Sequence, residues 1–185
     1  TIIEKQKYPA VIRELVGQLL AATVLLAETI KFKGQLTIQL DGDGPVTLLV
    51  AKCDHQRHVR ALAQWDKQVE PINIHSALGQ GRLVLTLEYD DKVKPYQSII
   101  ELKGQSIAAA IADYFQHSEQ LETRLLLASD AHSAAGIMLQ RMPGQVDAEI
   151  WNELEMLLNT LTKGELLELP SADILRRVYH EYDIR

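Results

Sequence analysis

One stretch limits this chain more than any other. From Pro9 to Gly34, Val11, Ile12, Leu15, Val16, Leu19, Leu20, Leu26 and Ile30 recur at spacings of three and four residues. Arg13, Glu14 and Gln18 lie off that stripe. The pattern predicts an amphipathic helix that becomes apolar nearly all round by its second half, and such a helix needs apolar partners. Pro9 suits the opening of the helix. Lys31 and Lys33 suit its C-terminal dipole, and Gly34 suits its stop. The apolar run Leu15 to Ile30 is interrupted by Gly17, Gln18, Thr23, Glu28 and Thr29, so it does not read as a membrane span.

The partners are predicted to follow as strands. Leu36, Ile38 and Leu40 alternate with Thr37 and Gln39, as in a half-buried strand. Asp41-Gly42-Asp43-Gly44-Pro45 is a turn by composition, and Val46 to Ala51 is a second strand completing a hairpin. Arg57 to Trp65 is a third candidate with poor alternation, and Pro71 to Gly81 reads as a loop with a short helical turn. Arg82 to Tyr89 and Tyr96 to Leu102 read as two more strands around Asp90-Asp91. Gly104 breaks the second, and Ser106 can cap a helix running through Phe115 to Glu119. Arg124 to Ala128 and Ala135 to Met142 read as a further pair of strands.

After Pro143-Gly144 the pattern is helical to the end. Trp151, Leu154, Leu157, Leu158 and Leu161 form one stripe, and Leu166, Leu167 and Leu169 a shorter one. Pro170-Ser171 opens a last helix with Ile174, Leu175, Val178 and Tyr179 on one face. The expectation is an α+β fold: mixed or antiparallel sheets with packed helices in residues 1–144, then an all-helical region in 145–185.

Composition narrows the function classes. Lys plus Arg is 19 and Asp plus Glu is 25, a net charge of −6 among 185 residues. That balance argues against a nucleic-acid binder, which shows a basic patch. The single cysteine can form neither an internal disulfide nor a Cys-rich zinc site. With no charged-then-apolar signal segment, the expected compartment is a reducing, cytoplasmic one.

No residue cluster amounts to a catalytic centre. Gly104-Gln105-Ser106-Ile107-Ala108 lies between a strand and a helix, the setting of a nucleophile elbow, and a serine hydrolase using Ser106 is the alternative function. But Ala108 replaces the usual second glycine. His117 shares the serine's helix, so the triad partners are missing. Cys53, His55 and His58 offer three local zinc-type ligands where structural zinc takes four. Asp41-x-Asp43-Gly44 begins like a calcium loop, but Val46 and Lys52 occupy the positions that need glycine and glutamate. Gly79-x-Gly81 precedes a strand instead of a helix and lacks the third glycine of a dinucleotide fingerprint. No catalytic and no metal-binding residues are expected within the chain. The leucine stripes remain. They read either as core or as a cover that can detach and expose apolar surface.

Several motifs resemble one family. They are the run from Leu20 to Gly34; Gln39 to Pro45; Asp113-Tyr114-Phe115 with Ser118-Glu119-Gln120 and Thr123; Ala135 to Pro143; and Tyr179-His180-Glu181. Together they resemble the redox-regulated 33 kDa heat-shock chaperones, the bacterial 33 kDa chaperonins. Glu122 stands where the Ser-Glu-Gln motif is commonly followed by proline. The resemblance implies an ATP-independent holdase that binds unfolded or partly unfolded clients under oxidative and heat stress in the bacterial cytoplasm, as a homodimer, with no nucleic acid or membrane partner. It implies a zinc domain whose four cysteines lie beyond Arg185, so no cofactor is expected within these residues and Cys53 inherits no zinc role. It also implies an N-terminal strand ahead of Thr1. On this reading the candidate client-binding residues are Trp151, Leu154, Leu157, Leu158, Leu161, Leu166 and Leu167.

Overall fold

A computed structural model of the chain describes residues 8–30, 33–66, 74–90, 94–144 and 147–182. The long apolar pattern is helix α1, Ala10–Thr29. Pro9 sits just before its first residue, and Gly34 opens the next strand instead of ending the helix. Lys31 lies outside the described residues. By length and composition α1 is apolar enough to cross a membrane, with mean hydropathy 1.7. Here it lies between two antiparallel sheets, in contact with strands of both.

Its polar interruptions are satisfied locally. The Thr23 hydroxyl donates to the Leu19 carbonyl at 2.7 Å, and the Gln18 amide donates to Glu14 at 3.0 Å. Buried polar groups without such partners would cost about 1–3 kcal/mol each. The five consecutive residues from Val16 to Leu20 are all buried. The all-round apolar character thus sits in the middle of the helix, and Glu28 and Thr29 are already exposed.

The first sheet contains β1 (Gly34–Gly42), β2 (Val46–Asp54), β3 (Val59–Trp65), β4 (Gly81–Tyr89) and β5 (Tyr96–Glu101). Their order across the sheet is β3-β2-β1-β4-β5, with every neighbour antiparallel. The predicted alternation gives the register its meaning. Leu36, Ile38 and Leu40 of β1 are fully buried towards α1, flanked by Leu49 and Ala51 of β2 and by Leu83 and Leu85 of β4. A one-residue slip would turn that whole set to water. The short helix α2, Ile74–Leu78, closes one end, and part of the loop before it lies outside the described residues.

Helix α3, Ile107–Tyr114, starts at Ser106 and continues as a π-helical turn, Phe115–Glu119, ending on a left-handed Gln120 (φ 57°). The Tyr114 hydroxyl donates to Glu119 at 2.7 Å across this turn. Desolvation by burial and the neighbouring Glu119 carboxylate both push that phenol's pKa up.

The second sheet is the hairpin β6 (Thr123–Ser129) and β7 (Ala134–Gln140). It approaches α1 closely at two glycines. A Cβ on Gly17 would collide with the Ser129 side chain, and one on Gly136 would lie 2.8 Å from Leu25 and 2.9 Å from Leu127. Three helices follow: α4 (Ala148–Asn159), α5 (Lys163–Glu168) and α6 (Ser171–Tyr179). Leu161 falls between α4 and α5 and does not extend the α4 stripe. Residues 145 and 146, where the expected domain boundary falls, lie outside the described residues.

Candidate functional site

The tail helices gather on the β6–β7 hairpin, on the face away from α1. Strand geometry explains how one hairpin serves two layers, because successive side chains point to opposite faces. Leu125, Leu127 and Met138 pack into the core around α1. Leu126, Ala128, Ala135 and Ile137 pack against a second cluster made with Leu161, Leu166, Ile174, Val178 and Tyr179. The near-continuous apolar run Leu125 to Ala128 is the sequence signature of a strand covered on both faces.

Each sequence-predicted residue can now be placed. Trp151, Leu158, Leu161 and Leu166 are buried, while Leu154, Leu157 and Leu167 are half-buried at the edge of the second cluster. The candidate set stops at Leu167 and leaves out α6, although Ile174, Val178 and Tyr179 supply half of that cluster's buried side chains. It also leaves out the hairpin face that the helices cover. The signal for both was present: the 174/175/178/179 spacing and the run Leu125 to Ala128. On the outside of the tail, Ile150, Met156 and Leu169 are exposed.

Polar contacts hold the tail's shape. The Asp147 carboxylate caps α4 by accepting the Ile150 N–H at 2.9 Å. Thr162 and Glu165 form a capping box at α5. The Thr162 backbone N–H and hydroxyl hold the Glu165 carboxyl below its ordinary pKa, helped by Arg177 at 2.9 Å. Burial pushes the Tyr179 phenol up to about 12, and its hydroxyl points at the Leu154 carbonyl, 3.5 Å away. Among the described residues two ion pairs tie tail to body: Arg124 with Glu155 at 2.6 Å, and Lys163 with Glu14 at 3.8 Å. Both are partly or largely exposed, and such pairs contribute about 0–1 kcal/mol.

The alternative centres resolve into structure. The Ser106 hydroxyl is a helix cap, accepting the Ala109 N–H at 3.1 Å. Among the described residues no imidazole hydrogen-bonds to it, and His117 turns back to its own helix at Asp113. The Cys53 thiol is buried, and that burial raises its pKa. His55 lies beyond the end of β2, accepting the Gly34 N–H, and His58 pairs with Asp54. No three His, Cys, Asp or Glu side chains converge on a metal position among the described residues. The described residues therefore do not fit a zinc ion.

Comparison with known proteins places the fold. The family model for Hsp33 protein matches residues 1–185. This chain belongs to the Hsp33 family. Its relatives include proteins named 33 kDa chaperonin from Nitrosococcus oceani (44% identity, covering 96% of this chain and 62% of the relative) and Chromobacterium violaceum (41%, 100% and 64%). Another, from Vibrio cholerae, is 40% identical, with 100% and 65% covered. The chain thus spans somewhat less than two thirds of the length of these curated relatives. The crystal structure of the 33 kDa chaperonin from Thermotoga maritima superposes with a TM-score of 0.85 at 22% identity, covering 100% of this chain and 68% of that one. That likeness supports the α+β fold with antiparallel sheets.

Proposed function

We propose that this chain is the body and movable tail of an ATP-independent holdase, a chaperone that captures unfolding proteins without a chemical cycle. The observation that carries the reading is a second small cluster, separate from the main core, in which the tail packs on one face of a hairpin whose other face belongs to the body. A cover whose contacts are separate from the main core can leave without unfolding what lies beneath it. Release would expose Leu126, Ala128, Ala135 and Ile137 on the hairpin and the leucines of α4–α6 on the tail. Family membership and relatives named chaperonin support the same reading.

We place the trigger in oxidative and heat stress and the working compartment in the bacterial cytoplasm, as the resemblance implies. Cys53 is the only thiol in the sequence, so no thiol pair within it can carry a disulfide switch. We further propose a homodimer, which sedimentation at ~10 µM would separate from the 20.8 kDa monomer if the dissociation constant is ~10⁻⁶ M or tighter.

The deciding experiment is light scattering of a heat-aggregating client, with the full chain and with a version ending at residue 144. Suppression by either, and stronger suppression on warming the full chain, is the expected result. No suppression by either version overturns the reading.

A further inference from the structure

The two cores meet at an apolar groove of about 300 Å³. Its lining draws on both. Leu25 of α1 and Met138 of β7 belong to the body's core, while Ile137, Leu166, Ile174 and Leu175 belong to the tail's. Met138 carries the one thioether in this lining. It is half-buried, neither sealed nor free. The other two methionines of the chain lie elsewhere and are open to solvent: Met142 is 46% exposed and Met156 64%.

We propose that Met138 is an oxidation site that controls how firmly the tail is held, independent of any cysteine. The chemistry needs a two-electron oxidant such as hydrogen peroxide. A sulfur lone pair attacks one peroxide oxygen, the O–O bond breaks, and an S–O bond forms. Proton transfer then releases the second oxygen as water. Sulfur is oxidised to the sulfoxide as peroxide is reduced. The product exchanges an apolar, adaptable side chain for a polar, chiral one. Its S=O oxygen needs a hydrogen-bond donor or water, and the groove lining is apolar except for Ser171. Burying such a group without a partner is unfavourable. The oxygen is best solvated when the groove widens, and of its two sides the tail, with the smaller cluster, is the one that gives way.

Position separates Met138 from the other methionines. Sulfoxides at Met142 and Met156 would project into solvent, where their polarity costs little. Cys53 is 1% exposed and far less accessible to a dissolved oxidant. The inference uses the proposed release of the tail as its consequence, but the modification itself stands on the groove alone.

The test uses the full 185-residue chain in a Cys53→Ala background, treated with hydrogen peroxide. Peptide mass mapping locates each sulfoxide, and hydrogen exchange follows the backbone of residues 147–182. Oxidation at Met138 is expected to speed exchange through α5 and α6 about tenfold, the factor given by losing part of a half-buried methionine's burial energy. Met138→Leu should abolish the effect, and the double change Met142→Leu with Met156→Leu should leave it intact. Met138→Gln should reproduce it without oxidant. Should Met138→Leu fail to fold, methionine sulfoxide reductase acting on the oxidised parent must restore slow exchange. The proposal is overturned if Met138 stays reduced while Met142 and Met156 are fully oxidised. It is equally overturned if exchange accelerates in the Met138→Leu protein. Client scattering is read separately: faster exchange with no suppression of aggregation keeps the oxidation site and removes the holdase.

Discussion

The body and the tail are built from similar residues but to different depths. The core around α1 holds twenty-six buried side chains among the described residues, including Ile12, Leu26, Leu36, Ile38 and Leu40 at 0% exposure. The cluster under the tail holds six, five from the tail and Ala128 from the hairpin, most of them 4–7% exposed. At roughly 25 cal/mol per Å² of buried apolar surface, the first cluster carries far more burial energy than the second. Leucine content does not distinguish them. What does is enclosure: α1 is walled on both sides by sheet, whereas α4–α6 have the hairpin on one side and water on the other.

Substitutions should break this contrast in graded steps. Leu26→Ala should cost the most, about 2–5 kcal/mol, and lower the midpoint of a single global transition in urea. Ile174→Ala removes comparable chemistry from the tail. Its expected signature is different: accelerated proteolysis and hydrogen exchange confined to residues 147–182, with the body's transition nearly unmoved. If the urea midpoint instead falls as far as for Leu26→Ala, the two regions are one cooperative unit. Asp147→Ala removes the α4 cap and should cost about 1 kcal/mol, again seen locally by exchange. Arg124→Ala should cost no more than about 1 kcal/mol, and its effect should shrink in high salt.

The smallest expected effect is acid sensitivity of the α5 cap. The Glu165 pKa is lowered first by the Thr162 backbone N–H and then by its hydroxyl. A carboxylate lowered in the folded state contributes stability above its unfolded pKa, and that contribution is lost as pH falls through the folded value. The protection factor at the start of α5, exchange corrected for its intrinsic pH dependence, should therefore fall on acidification in the parent and stay constant in Glu165→Gln.

Much of the body was legible in its sequence because its signals are periodic. Alternation in Leu36 to Leu40 and in Leu83 to Tyr89 is visible at a glance, and both strands form where it appears. The β3 strand was harder to see, since at a sheet edge its alternation Val59, Ala61, Ala63 uses small residues. The π-turn after Tyr114 left no periodic trace. It carries a local side-chain hydrogen bond from Tyr114 to Glu119 and ends on a left-handed Gln120, neither of which spacing encodes. In the candidate site, the leucines of α4 and α5 were visible as a stripe. Their partners on the hairpin showed only as the apolar run Leu125 to Ala128, and nothing in a stripe says which surface covers it.

The hairpin has a consequence for how this protein can change. Leu126 and Leu127 are consecutive in the chain, yet one meets the tail and the other the body. A substitution at one position can retune how firmly the tail packs, and a substitution at the next can adjust the strength of the scaffold. Two properties that most proteins must trade against each other are thus written into alternate letters of a single strand.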